Sequence, residues 1–166
     1  MSGGHQVALR DVPARPTQVV AATTTWPQFP ALWPVLLDEV WSCLRAAGID
    51  RGCRNVMLYR DVAGGAGGAA GVAGAVGVEV GVAPGAGVDV PLDVLTGRVT
   101  ASHLPAGAVA TTVHAGSYAG LAAAHRAVGE ACSAQGRRPA GVRWEVYGPH
   151  REDPDDLRTE VCWLLA

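Results

Sequence analysis

Little in this chain is charged, and less is aromatic. Charged residues fill 17% of the 166 positions and aromatic ones 5%. Arg and Lys number 13 against 15 Asp and Glu, a formal charge of -2. With no basic cluster, the chain lacks the electrostatic footprint of a nucleic-acid binder or of a protein that lies on anionic membrane. No run is apolar enough to span a bilayer, because the longest such stretch, AAGVAGAVG, is Ala and Gly. The opening MSGGHQVALRDVP has neither the basic start nor the apolar run of a secretory signal. Cys43, Cys53, Cys132 and Cys162 are scattered without a C-x-x-C, which argues against a disulfide framework or zinc site and suits reduced thiols. His5, His103, His114, His125 and His150 show no metal-ligand spacing. No P-loop, G-x-S-x-G or G-x-G-x-x-G stands in a fitting context. The expectation is a soluble cytoplasmic domain of one core, without metal or cofactor, nucleic-acid or membrane partner.

What is present is repetition. VALRDVPA (7–14) and VTASHLPA (99–106) each precede a β-rich run, TQVVAATTT (17–25) and AVATTVHAG (108–116). A helical stretch ended by Gly follows in both halves, then two strand-like runs. These are NVMLYRD (55–61) with VEVGV (78–82), and RWEVYGP (143–149) with TEVCW (159–163). Tyr59 matches Tyr147 and Glu79 matches Glu160. The first module spans about 5–83, a link 84–97, and the second module about 98–165. The Gly/Ala tract 63–77 reads as a flexible connection within a hairpin.

Both helices carry one apolar stripe. Trp33, Leu36, Leu37, Val40, Trp41 and Leu44 recur at three- and four-residue spacing, with the start expected near Ala31 so that Pro34 falls in the first turn. Gly48 is placed to cap the end. In the second helix Ser117 is the candidate N-cap, Tyr118, Leu121, His125, Val128 and Cys132 form the stripe, and Gly136 ends it. Neither stripe can be buried alone, so both helices should lie on one face of an antiparallel or mixed sheet.

The second half, LPAGAVATTVHAGSYAGLAAAHRAVGEACSAQGRRPAG followed by RWEVYGPHREDPDDLRTEVCWLL, resembles the GyrI-like small-molecule-binding domain, also the effector-binding part of AraC- and MerR-type activators. The small-residue turn HAGSY, the WEVY strand and the closing D-x-x-R-T-E-V-x-W carry the likeness. The first half is similar more loosely, through NVMLYRD and the repeat. The resemblance implies an α+β fold: a pseudo-twofold pair of strand-helix-strand-strand modules forming one curved antiparallel sheet, helices on one face, with a ligand groove at the module junction. The groove would hold bulky, flat, often cationic molecules around a central acid, which corresponds to Glu145. Met57 takes that place in the first half. No helix-turn-helix flanks the domain, so a stand-alone member is expected.

Alternation puts Trp144 and Val146 on one side of a strand and Glu145 and Tyr147 on the other. The helices are expected to cover the Trp144 and Val146 side, so that Glu145 and Tyr147 occupy the opposite face, where the two modules would meet in a concavity. A carboxylate among rings is costly unless paired, and an organic cation can pair with it while rings stack on its faces. Tyr147 and Tyr59 are candidate walls, or amphipathic surface residues. Trp33 and Trp41 are stacking partners or plain core. Tyr118 is a wall or the first stripe residue. Trp163 and His114 complete the candidate lining, with a partly exposed strand histidine as the preferred, plainer reading of His114. Glu160 is a second acid beside Glu145 or, preferably, a surface residue paired with Arg158, Arg143 or solvent. Three functions fit: capture of aromatic, cationic compounds; hydrolysis of strained cyclopropane antibiotics, with Glu145, Tyr147 and Tyr118 as catalytic groups; or inhibition of a protein such as DNA gyrase, for which no partner surface is evident.

Overall fold

The computed structural model describes residues 4–62 and 74–166. Eight strands and two helices follow the repeat: β1 Ala8–Val12, β2 Arg15–Thr25, α1 Phe29–Ala46, β3 Cys53–Asp61 and β4 Ala75–Pro84, then β5 Thr100–Leu104, β6 Gly107–Ala115, α2 Leu121–Ala134, β7 Pro139–Tyr147 and β8 Arg158–Leu165. The fold is α+β with antiparallel strands, as the repeat and the resemblance imply. Most of the Gly/Ala tract, through residue 73, lies outside the described residues.

Two compact units emerge, Arg15–Leu104 and Met1–Ala14 with Pro105–Ala166. In the first, the order is β3-β4-β2-β5, with every neighbour antiparallel. In the second it is β1-β6-β8-β7, likewise antiparallel. The first strand of each repeat therefore pairs outside its own half: β1 runs along β6, and β5 runs along β2. Pro13 and Pro105, which cannot donate to a ladder, stand at the breaks between those strands and the next ones.

In the unit 15–104, α1 packs on β2 and β4. Leu36, Val40, Cys43 and Leu44 are buried along its stripe, while Trp33, Leu37 and Trp41 are half-buried. The helix begins two residues before the expected start, so Pro34 falls beyond the first turn, inside the helix. Pro30 takes the first-turn place suited to its missing N–H, while Pro34 forgoes the bond to the carbonyl four residues back and crowds that carbonyl with its ring. Gly48 has φ 84, and Ile49 N–H reaches Leu44 O at 2.9 Å, a Schellman ending. The link after β4 is strapped to α1. Cys43 Sγ–H donates to Val94 O at 3.3 Å, and Thr96 N–H donates back to Cys43 Sγ at 3.4 Å. Arg98 adds a two-pronged pair with Glu39, at 3.1 and 2.6 Å to Oε2.

In the other unit, Ala124, Val128 and Cys132 of α2 pack on Ala110, Val161 and Leu165. Leu9 of β1 and Trp163 border this core. Ser117 precedes a separate 3-10 turn, Tyr118–Gly120, and makes no side-chain cap; α2 starts only at Leu121.

Candidate functional site

Register decides which side of β7 faces the helix. Residues directly opposite on antiparallel strands share a face. Glu145 lies opposite Val161, Arg143 opposite Trp163 and Tyr147 opposite Thr159, and Val161 belongs to the core under α2. Glu145 and Tyr147 therefore face the helix, and the expectation that Trp144 and Val146 lie beneath it is corrected. Those two residues share the other face with Cys162 and Glu160. Size misled here because both faces of β7 are buried: Trp144 is 2% exposed, Val146 8% and Glu145 4%.

A carboxylate so enclosed needs partners, and unit-internal ones are at hand. Tyr147 donates its hydroxyl to Glu145 Oε1 at 2.7 Å. His125, one turn into α2, lies 3.0 Å from Oε2 through Nε2. The other ring nitrogen, Nδ1, meets the Trp163 indole N–H at 2.9 Å. An indole nitrogen only donates, so Nδ1 must accept; the ring proton sits on Nε2 and is given to Glu145. The chain Trp163 to His125 to Glu145, joined by Tyr147, spans β8, α2 and β7. Arg143 stacks its guanidinium 5.3 Å from the centre of the Trp163 ring. Tyr118, half exposed, meets Tyr147 edge-on at 5.5 Å.

The indole of Trp163 packs closely on α2 at Gly129. A Cβ at Gly129, one turn after His125, would stand 3.1 Å from Trp163 Cη2. In the sequence His125 is one more residue of the α2 stripe. Its signal is that it is the only imidazole on an apolar stripe, where a polar ring must find partners.

The remaining candidates lie elsewhere. His114 is buried, 6% exposed, and not the partly exposed histidine expected: Nε2–H donates to Ser117 O at 2.7 Å, leaving Nδ1 to accept from His5 Nε2 at 3.0 Å. A cleft of ≈ 460 Å³ beside that pair is lined by Gly4, His5, Gln6, Thr112, Val113 and Ala115, and does not include Glu145. Glu160 is not beside Glu145 but on the opposite face, 3.7 Å from Arg10, an ion pair with a partner other than the expected Arg158 or Arg143.

In the unit 15–104, Met57 and Tyr59 share a face with Val80 and Val78, and Tyr59 Oη–H reaches Met57 Sδ at 3.6 Å. Tyr59 packs against Trp26 at 5.1 Å and Phe29 at 5.6 Å between ring centres. Trp41 gives its indole N–H to Asn55 Oδ1 at 2.9 Å, and Trp33 is half-buried without a ring partner among the contacts of the described residues. No helix among the described residues is long and apolar enough to cross a membrane, and none of their His, Cys, Asp and Glu groups forms a cluster of three fit to hold a metal.

No protein-family model matches the chain, and no curated protein matches it in sequence. Solved structures do match in fold. The EcmrR C-terminal domain is 16% identical, with a TM-score of 0.69 over 98% of both chains. In the EcmrR–DNA complex, the chain covers 57% of the longer EcmrR polypeptide. SAV2435, solved with tetraphenylphosphonium, is 10% identical, with a TM-score of 0.64 over 97% of this chain and 94% of that one. A hydrolase from Listeria innocua is 11% identical, with a TM-score of 0.58 over 98% and 93%. What these likenesses share is the α+β fold of the GyrI-like domain that the sequence resembles.

Proposed function

We propose that this domain is a small-molecule-binding protein that captures bulky aromatic, cationic compounds, with Glu145 supplying the charge and neighbouring rings the stacking surface. One observation carries the reading: a carboxylate 4% exposed, held on its two oxygens by Tyr147 and His125 amid Tyr118, Tyr147 and Trp163. Enclosing a charge costs several kcal/mol, and a polar network fixed in position is how a binding site retains charge for a ligand. The tetraphenylphosphonium bound to SAV2435 is a bulky aromatic cation held by the same fold.

Thermal shift with a panel of cationic and neutral polyaromatic dyes tests it. Ligand at one hundred times Kd stabilises the native state by about 2.7 kcal/mol, so cationic dyes should raise Tm clearly. A flat panel contradicts capture.

A second reading has its own support. The Tyr147 hydroxyl on Glu145 is an acid–base pair at 2.7 Å, and a hydrolase shares the fold. Glu145 would orient or deprotonate water while Tyr147 or Tyr118 polarises a dienone carbonyl of a cyclopropane-bearing antibiotic. Mass spectrometry of such a compound incubated with the protein should then show the gain of one water, and an unchanged mass dismisses hydrolysis.

A further inference from the structure

We propose that His5 and His114 form a binding site for a divalent transition metal of the class that imidazole nitrogens suit, such as nickel or zinc. The site is separate from Glu145 and stands whether or not the domain captures organic cations. His5 Nε2 and His114 Nδ1 lie 3.0 Å apart, with ring centres 5.3 Å apart and planes inclined by 29°. A carbonyl oxygen only accepts, so the 2.7 Å contact to Ser117 O fixes the His114 proton on Nε2 and leaves the Nδ1 lone pair facing His5. One ring nitrogen tied to a backbone carbonyl while the other presents its lone pair is the arrangement of metal-ligating histidines. Gly120 keeps the ring there: a Cβ would stand 2.5 Å from His114 Cε1 and 2.9 Å from Nε2. His114 is buried, so the first ligand is fixed before any metal arrives.

His5 is the movable partner. It is half-buried on residues 4–7, which precede β1 and belong to no strand. Thr112 anchors the next residue, donating its hydroxyl to Gln6 O at 2.7 Å. Transfer of the His5 proton from Nε2 to Nδ1 gives the ring a lone pair toward His114, with no proton gained or lost. A metal about 2.0–2.1 Å from each nitrogen then takes the place of the bridging proton. The cleft of ≈ 460 Å³ beside the pair, lined by His5, Gln6 and Thr112, admits the water that completes the shell. Among the described residues no third His, Cys, Asp or Glu completes a cluster with the two. The site therefore offers nitrogen and water, not the carboxylates that hold magnesium or calcium. The two rings stand 109 positions apart, which is why no ligand spacing shows in the sequence.

Equilibrium dialysis of the untagged chain at pH 7.5, read by elemental mass spectrometry, tests the site with Ni²⁺, Zn²⁺ and Mg²⁺ as probes. The wild-type protein should take up one nickel or one zinc and no magnesium. His5→Ala should weaken nickel binding at least about tenfold, the smallest loss seen when even a supporting partner of a ligand is removed. Its circular dichroism should stay unchanged, because His5 belongs to no strand. His103→Ala and His150→Ala, both at exposed positions, should bind as the wild type does. Gly120→Ala pushes the His114 ring from Ser117 O and should cost about 10–100-fold, a loss that an adventitious histidine pair would not show. Wild-type protein that binds neither metal, or binds magnesium equally, overturns the site, as does a His5→Ala protein of wild-type affinity. Gly120→Ala with full affinity overturns the role given to the Ser117 carbonyl. Should Gly120→Ala fail to fold, nitrogen NMR of the zinc-loaded wild type decides: zinc is expected on His114 Nδ1 and His5 Nε2, and zinc on any other ring nitrogen refutes the arrangement.

Discussion

Tyr147 gives its hydroxyl proton to Glu145, two residues earlier on the same strand face, at 2.7 Å. Tyr59 stands in the same relation to Met57, oxygen to sulfur at 3.6 Å. The repeat has thus kept the tyrosine and exchanged the partner, thioether in one half and carboxylate in the other. That carboxylate is also the acceptor for His125.

Glu145→Gln retains an oxygen for His125, whereas Glu145→Met, copying the first half, leaves the buried N–H without one. An orphaned donor costs about 1–3 kcal/mol. Urea unfolding should therefore rank Glu145→Met below Glu145→Gln by that amount. Equal midpoints would mean that the His125 bond contributes nothing.

Cys162 is 1% exposed, and burial pushes its thiol from an ordinary 9.0 up to about 12, with Thr111 opposing and Glu160 adding to the rise. Its thiolate, the reactive form, is scarce at neutral pH. Maleimide at pH 7.5 should leave Cys162 unlabelled in the native protein and label it in urea, as read by peptide mass spectrometry; rapid native labelling contradicts the burial. Because folding favours the protonated thiol, this stabilising contribution is complete below about pH 9 and is lost as pH rises toward 12.

How much of this was legible in the sequence is clearest on β7. The two halves, the antiparallel α+β plan and both stripes could be read because Leu36, Val40 and Leu44, or Leu121, Val128 and Cys132, repeat at helical spacing. That Glu145 and Tyr147 share a side follows from strand alternation. Which side lies under α2 does not follow, since Trp144 and Glu145 are almost equally buried. Long-range pairing supplies the answer, through Val161 opposite Glu145. The partner choice of β1 was hidden for the same reason: nothing within ALRDV distinguishes β6 from a strand of its own half. His125 was visible as a residue but not as a partner of Glu145, twenty positions on.

Close backbone approach makes a further prediction. A Cβ at Gly81 would overlap the Gln18 carbonyl oxygen on the neighbouring strand and stand 2.8 Å from Val19 Cα. At Gly48 nothing lies within 4 Å, and only its φ of +84 opposes a side chain. Gly81→Ala should destabilise by about 2–3 kcal/mol, as overpacking does, and Gly48→Ala by about 1–2 kcal/mol. Chemical denaturation that reverses this order would show that β2 and β4 can separate locally.

The central claim is that Glu145 supplies charge to a ligand and not merely a hydrogen bond to its neighbours. The direct measurement is the Kd of rhodamine 6G, a cation, and of Nile red, a neutral dye, for the wild-type and Glu145→Gln proteins at pH 8. Loss of the charge should weaken the cation at least about tenfold and leave the neutral dye within about twofold, a difference below 0.5 kcal/mol. Equal losses for both dyes, or none for the cation, would contradict the account.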